Sequence, residues 1–228
     1  MERIPLPPAP PLSSETLAQL RRYADLLCSM NDRVRLVGPR DAETLWSDHI
    51  EDCLRLLPLL PQAGSVIDVG TGGGLPGAVL AICRPDLQFT LLDSLSRKTK
   101  ALSEIVAELG LQNAQVVCCR SEDYAAAHRE AFQCAVVRAV SEAGIIAEYL
   151  TPLVAQGGLI AAMKGSSVGE ELAPMSGKWS KIGLSNPRLY EYGFKDHTNF
   201  MLCWDKIKAC PDAYPRSPGR AEKKPWWK

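Results

Sequence analysis

The sequence predicts an α/β protein: a mostly parallel, doubly wound sheet of seven strands with helices on both faces, preceded by a helical cap. Three observations predict it. The stretch Ser65-Val-Ile-Asp-Val-Gly-Thr-Gly-Gly-Gly-Leu-Pro-Gly77 joins a β-branched run to a glycine loop and a helix start. From that point strand and helix patterns alternate with short connections, as parallel sheets require. Before it lie about sixty residues with helical, not strand, periodicity.

Residues 1–12 are proline-rich and are expected to be loose. Ser13 or Ser14 can cap a helix carrying Glu15 in its first turn, with Leu17, Leu20, Ala24 and Leu27 at helical spacing. A polar break from Asn31 to Arg40 follows. Asp41 then opens a second amphipathic helix with Leu45, Trp46, His49, Ile50, Cys53, Leu54 and Leu57 on one face, ended by Pro58 and Pro61. Strands are expected at 65–69, 88–92, 114–118, 133–138 and 157–163, with helices at 76–83, 96–109, 122–130 and 141–154. Residues 165–183 are irregular, and strands at 188–194 and 198–206 form an edge hairpin. The division is a helical extension at 1–60, a core domain at 61–210, and a tail at 211–228 rich in Pro, Lys, Arg and Trp.

A chain of 228 residues with 46% hydrophobic content can bury one good core. Its formal net charge of zero provides no global attraction for polyanions, so any nucleic-acid contact must be a local basic patch. No apolar run reaches membrane-spanning length and no secretory core is seen, so a cytoplasmic protein with no membrane contact is expected. The eight cysteines (28, 53, 83, 118, 119, 134, 203, 210) show no C-x-x-C spacing and read as reduced small hydrophobes. Histidines at 49, 128 and 197 are scattered, and no metal site is expected.

The loop fits two templates. Gly72-x-Gly74-x-x-Gly77 matches a dinucleotide fingerprint, which alone is a weak signal. Asp68-x-Gly70-x-Gly72-x-Gly74 matches the S-adenosylmethionine motif of Rossmann-like class I methyltransferases. A phosphate loop of the Walker type is excluded, because no Gly-Lys-Ser/Thr follows. Asp93 ends the next strand about 20 residues on, where an acceptor-only carboxylate suits the two donor hydroxyls of an adenosine ribose. Both cofactors use that pairing, and a plain role for Asp93 is to cap the helix near Ser96. Ser121 and Glu122, at the end of the third strand, stand where an adenine lands, although Ser121 can also be a helix N-cap.

The fourth strand narrows the chemistry. It ends Val136-Val-Arg138-Ala139. The Asn/Asp-Pro-Pro-Tyr turn of exocyclic-amine methylation is absent, and Cys134 lies at the wrong end of the strand for a pyrimidine-carbon nucleophile. What remains is a cation, Arg138, beside a ring nitrogen that needs no base, so that catalysis reduces to alignment and exclusion of water. Arg138 could hold the methionine carboxylate or the O6/N7 edge of a guanine; a solvated strand-end arginine is the plain alternative. An oxidoreductase lacks a visible proton relay.

Several segments together resemble the RsmG (GidB) family, bacterial methyltransferases of small-subunit ribosomal RNA. They are His49-Ile-Glu-Asp52-Cys-Leu54, Asp68 to Gly77, Leu91-Leu-Asp-Ser-Leu95 with Arg97-Lys-Thr-Lys100, Glu108-Leu-Gly-Leu111, Val137-Arg-Ala139 and Ala162-Met-Lys-Gly165. The resemblance implies methylation of guanine N7 in 16S ribosomal RNA near the decoding centre, with S-adenosylmethionine as cofactor. Carried over residue by residue, cofactor contacts fall on Gly70, Leu75, Ser121, Glu122 and Arg138; Gly72 and Gly74 come from the glycine motif and Asp93 from the ribose argument. Arg138 is the expected catalytic residue. The partner would be 16S RNA or the small subunit, met by a monomer through Arg97, Lys98, Lys100 and Lys164. Trp226 and Trp227 could stack on bases.

Overall fold

The computed structural model describes residues 2–228 and resolves them into two compact units. One is Pro7–Cys119; the other is Arg120–Lys228 together with a short N-terminal strand, β1 (Arg3–Pro5).

In the unit Pro7–Cys119, α1 (Ser14–Asn31) begins where Ser13 accepts the N–H of Thr16, as its capping position predicts. Its inward face, Leu20, Tyr23, Ala24 and Leu27, follows the expected helical spacing and packs on α4 (Gly77–Cys83) and α5 (Ser96–Leu109). The second cap helix departs from expectation. It is split into α2 (Ala42–Leu45), a π-helical turn (Trp46–Ile50) and α3 (Glu51–Leu54). The wider turn brings residues five apart into register: Glu51 N–H reaches Trp46 O, and Trp46 Nε1 donates to Glu51 Oε1 at 2.7 Å. Arg21 lies 3.7 Å over the Trp46 ring, closing the cluster from α1.

Three parallel strands follow in the order β2 (Ser65–Val69), β3 (Gln88–Asp93), β4 (Ala114–Cys118). α4 and α5 both pack on β3. Leu91 and Leu92 are buried between their neighbours, which explains the near-continuous apolar run of that strand.

The second unit contains α6 (Ser121–Ala127), β5 (Phe132–Arg138), α7 (Ala143–Leu150), β6 (Val154–Lys164), α8 (Val168–Leu172), β7 (Arg188–Phe194), β8 (His197–Asp205) and α9 (Arg220–Lys223). Its strands run in the order β1-β7-β8-β6-β5. β5 and β6 are parallel, and the β7–β8 hairpin is antiparallel, as expected.

Among the described residues there are therefore eight strands, not seven. The extra one is β1, within residues expected to be loose. It pairs parallel with β7, Arg3 opposite Leu189, and Pro5 is tolerated because β1 is the edge strand and needs no second partner. Nothing in the three residues Arg3-Ile4-Pro5 announces this pairing. The tail at 211–228 is also ordered: Trp226 is buried against Trp179 and Trp227 against Trp226, and Ala221 is buried in α9. The expectation that these two indoles stack on bases is corrected, since their surface is spent inside the protein.

Candidate cofactor and substrate site

The glycine loop begins at Asp68, which is fully buried at the end of β2. Its Oδ2 accepts the Thr71 hydroxyl at 2.6 Å and the Gly77 N–H at 2.8 Å, so one carboxylate ties both ends of the loop. Leu92 O on β3 accepts the N–H groups of Gly70 and Thr71, and Thr71 O accepts those of Gly74 and Leu75. The chain turns through positive φ at Gly70 (74°), Gly72 (57°) and Gly74 (100°), the left-handed region that side chains avoid.

The glycines have different jobs. A Cβ at Gly77 would lie 2.3 Å from Leu91 and 2.7 Å from Asp68 Oδ2, and one at Gly74 would lie 2.8 Å from Ala78 and 2.9 Å from Leu102. These two let α4 and α5 close on the strands. A Cβ at Gly72 would make only ordinary contacts, the nearest with Leu36 O at 3.8 Å, so it is the positive φ and not crowding that favours glycine there.

Asp93, at the end of β3, is nearly buried. Its Oδ2 accepts the Gly72 N–H at 2.9 Å and its Oδ1 accepts the Leu95 N–H at 2.9 Å. A carboxylate has about four lone-pair sites, so each oxygen keeps capacity for a hydroxyl donor. Leu95 is the N-cap of α5, so Asp93 anchors the approach to that helix without supplying its cap.

Residues the sequence did not single out roof the loop. Tyr23 donates its hydroxyl to Gly73 O at 2.8 Å. Asn31 accepts the N–H groups of Leu36 and Val37 and donates to Val37 O and Pro39 O, folding that connection over Gly73. The helical period that marks Leu20, Ala24 and Leu27 also includes Tyr23, but a period cannot reveal a hydroxyl's partner.

In the second unit, Ser121 is the first residue of α6 and does not cap it; the N-cap is Arg120, with no side-chain bond. The Ser121 hydroxyl instead donates to Glu122 Oε2 at 2.9 Å, and both residues are buried. Arg138 is the last residue of β5, opposite Met163, and half-buried; Ala139 beyond it holds φ 54°. Its place at the C-terminal end of a parallel strand is where α/β sheets bind ligands.

Arg97 and Lys100 are exposed at the start of α5, with Lys98 half-buried between them. Lys164 does not join them as a free cation. Its ammonium lies 2.6 Å from Glu171 Oε2 and 3.0 Å from Ser141 O, with only 10% of the side chain exposed. The same Glu171 oxygen accepts the Ala143 N–H, so the pair pins the loop that follows Arg138. The strand-end position of Lys164 is legible in sequence; the acid on α8 that claims it is not.

Among the described residues no group of three or more His, Cys, Asp or Glu side chains could hold a metal ion, and no helix is long and apolar enough to cross a membrane. None of the eight cysteines is joined in a disulfide.

A glycine loop after one parallel strand and a carboxylate ending the next define a Rossmann-like nucleotide-binding fold. Solved structures share it: an rRNA methylase from Streptococcus thermophilus (15% identity, TM-score 0.50, 66% of this chain and 91% of that one) and cofactor-bound Rv0187 from MTB (15%, TM-score 0.59, 86% and 91%). Within that class, the model of the family GidB, rRNA small subunit methyltransferase G, matches residues 16–195, and the chain belongs to this family. A relative from Alkaliphilus metalliredigens, named ribosomal RNA small subunit methyltransferase G, is 34% identical over 94% of this chain and 92% of its own length.

Proposed function

We propose that the chain transfers a methyl group from S-adenosylmethionine to N7 of a guanine in 16S ribosomal RNA near the decoding centre. It acts as a cytoplasmic monomer on that RNA, free or within the small subunit. Family membership and the relative's name support the rRNA substrate. The observation that carries the cofactor reading is the Asp93–Gly72 bond, which sets an acceptor-only group against the glycine loop.

In this reading Asp93 receives the ribose hydroxyls, Gly70, Gly72, Gly74 and Leu75 give the backbone surface beneath the cofactor, and Ser121 with Glu122 meets the adenine. When bound, the cofactor would supply an electrophilic methyl group on sulfur for the N7 lone pair to take. N7 carries no proton, so no side chain need act as a base. Arg138 orients the methionine carboxylate or the guanine edge and fixes the line of attack. Guanine N7 faces the deep, narrow groove of A-form RNA, so the target base must be unpaired or flipped. Arg97, Lys98 and Lys100 meet phosphates nearby. Residues 1–60 form a helical extension, 61–210 the methyltransferase domain and 211–228 an appended segment.

The dinucleotide fingerprint at Gly72, Gly74 and Gly77 supports a second reading, an NAD-dependent oxidoreductase. Calorimetric titration with each cofactor separates them: binding of S-adenosylmethionine and none of NAD is expected. Methyl transfer to unmodified 16S RNA, naked and in the small subunit, completes the test. Absence of S-adenosylmethionine binding would overturn the proposal.

A further inference from the structure

The segment 210–228 is proline-rich and polar, yet it is fastened along its length. Arg129 donates to Cys210 O, Pro211 O and Tyr214 O. Arg216 makes a bidentate pair with the fully buried Glu148, at 2.8 and 2.6 Å. Gly219 N–H points to Glu122 at 3.4 Å, and Glu222 takes the Tyr149 hydroxyl. Trp226 Nε1 donates to Gly144 O at 2.8 Å, and Trp227 packs so closely that a Cβ at Gly144 would lie 2.3 Å from its ring. Lys178 holds Trp227 O at 2.7 Å.

These fastenings use the tryptophans, one arginine and one glutamate of the segment. They leave Arg220, Lys223, Lys224 and Lys228 exposed. Arg220 and Lys223 are three apart on α9 and share a face, while Ala221 between them is buried. The location matters as much as the charge. Gly144 is in the first turn of α7, the helix that follows Arg138 across a short loop, and Glu122 is in the first turn of α6. Both anchors therefore sit at the ends of helices that open on the ligand side of an α/β sheet.

We propose that this segment is a preorganised RNA-docking ridge, on which Arg220, Lys223, Lys224 and Lys228 contact phosphates flanking the target nucleotide. The inference rests on the rRNA methyltransferase reading given above. A chain of net charge zero must gather its cations locally to hold a polyanion, and here four stand on nine residues with their backbone fixed in advance. Fixing it beforehand removes the ordering cost that a loose basic tail would meet on binding. The tryptophans serve as anchors, not as stacking platforms.

The test is the variant Arg220→Gln, Lys223→Gln, Lys224→Gln, Lys228→Gln, which leaves every anchoring residue in place. Binding of a 16S RNA fragment is measured across a salt series, beside S-adenosylmethionine affinity and methyl transfer. Each lost phosphate contact flattens the log–log salt slope by about 0.7 for single strands. A slope shallower by about 2 to 3, an RNA affinity lower by on the order of tenfold at moderate salt and an unchanged S-adenosylmethionine affinity are expected. If the parent protein methylates the RNA and the variant keeps the parent's slope, the ridge is overturned and the function stands. If the parent neither binds S-adenosylmethionine nor methylates the RNA, both fall.

Discussion

Asp93 reaches back from the end of β3 to accept the backbone N–H of Gly72 at 2.9 Å, so the acid proposed for the ribose also shapes the loop beside it. Asp93→Asn leaves one acceptor oxygen where two N–H donors point, and sets an NH2 group against one of them. A lost bond to a charged acceptor is worth about 1.5–3 kcal/mol, so S-adenosylmethionine affinity should fall roughly 10- to 100-fold. Titration calorimetry reads this directly; parent-like affinity would remove Asp93 from the ribose contact.

Arg138→Ala should lower methyl transfer to 16S RNA by at least about 100-fold, because alignment is the main catalytic device for a nucleophile that needs no base. Circular dichroism should show an intact fold, since the side chain is only half-buried at a strand end. Full activity in a single-turnover assay would move the aligning role to another residue.

The Lys164–Glu171 pair should act on stability and not on phosphate binding. Lys164→Met leaves the largely buried Glu171 carboxylate without its cation and Ser141 O without its ammonium donor, at a cost of about 1–3 kcal/mol in denaturant unfolding. Adding Glu171→Gln should recover part of that loss, because the orphaned charge is gone. The salt slope for RNA should match the parent in Lys164→Met and flatten in Lys98→Ala. A flattened slope in Lys164→Met would restore Lys164 to the RNA-facing set.

Acid should loosen the junction between β8 and the C-terminal segment. Burial raises the Glu130 carboxyl, but the Lys206 ammonium at 2.7 Å and the Cys210 N–H outweigh it and hold the group below its ordinary 4.5. A carboxyl depressed in the folded state adds stability that is complete above pH 4.5 and is lost as the pH falls through the lower, folded value. The Lys206 side chain is fully buried, so protonating Glu130 strands its charge among carbonyls of Thr151 and Val154. Denaturant unfolding of Glu130→Gln should show lower stability at pH 7 and a flatter decline from pH 5 to 3; a parallel decline would assign the acid sensitivity elsewhere.

Much of this molecule is written locally. β2 spans the expected residues 65–69, and α5 the expected 96–109, because a β-branched run and a helical period each report burial over a few neighbouring residues. Ser13 and Asp41 cap the helices they precede, since a cap bond closes within three residues. The glycine loop is legible because positive φ at Gly70, Gly72 and Gly74 favours a residue without Cβ.

Other features depend on partners distant in sequence. β1 exists because β7, more than 180 positions away, offers an open edge. Lys164 reads as a strand-end cation until α8 folds back and Glu171 takes its charge. Trp226 and Trp227 read as exposed stacking residues until Gly144, lacking a side chain, gives them a seat.

The sequence by itself determined the alternating α/β order, the glycine loop and the acid that follows it, because short-range sterics and period set them. Only the tertiary structure decided which polar groups are taken and which remain open. Lys164 and Arg216 are held by Glu171 and Glu148, while Arg97, Arg220 and Lys223 face solvent. A charge has no fixed role until folding selects its neighbours, since ion pairs form across space between residues that sequence spacing does not relate.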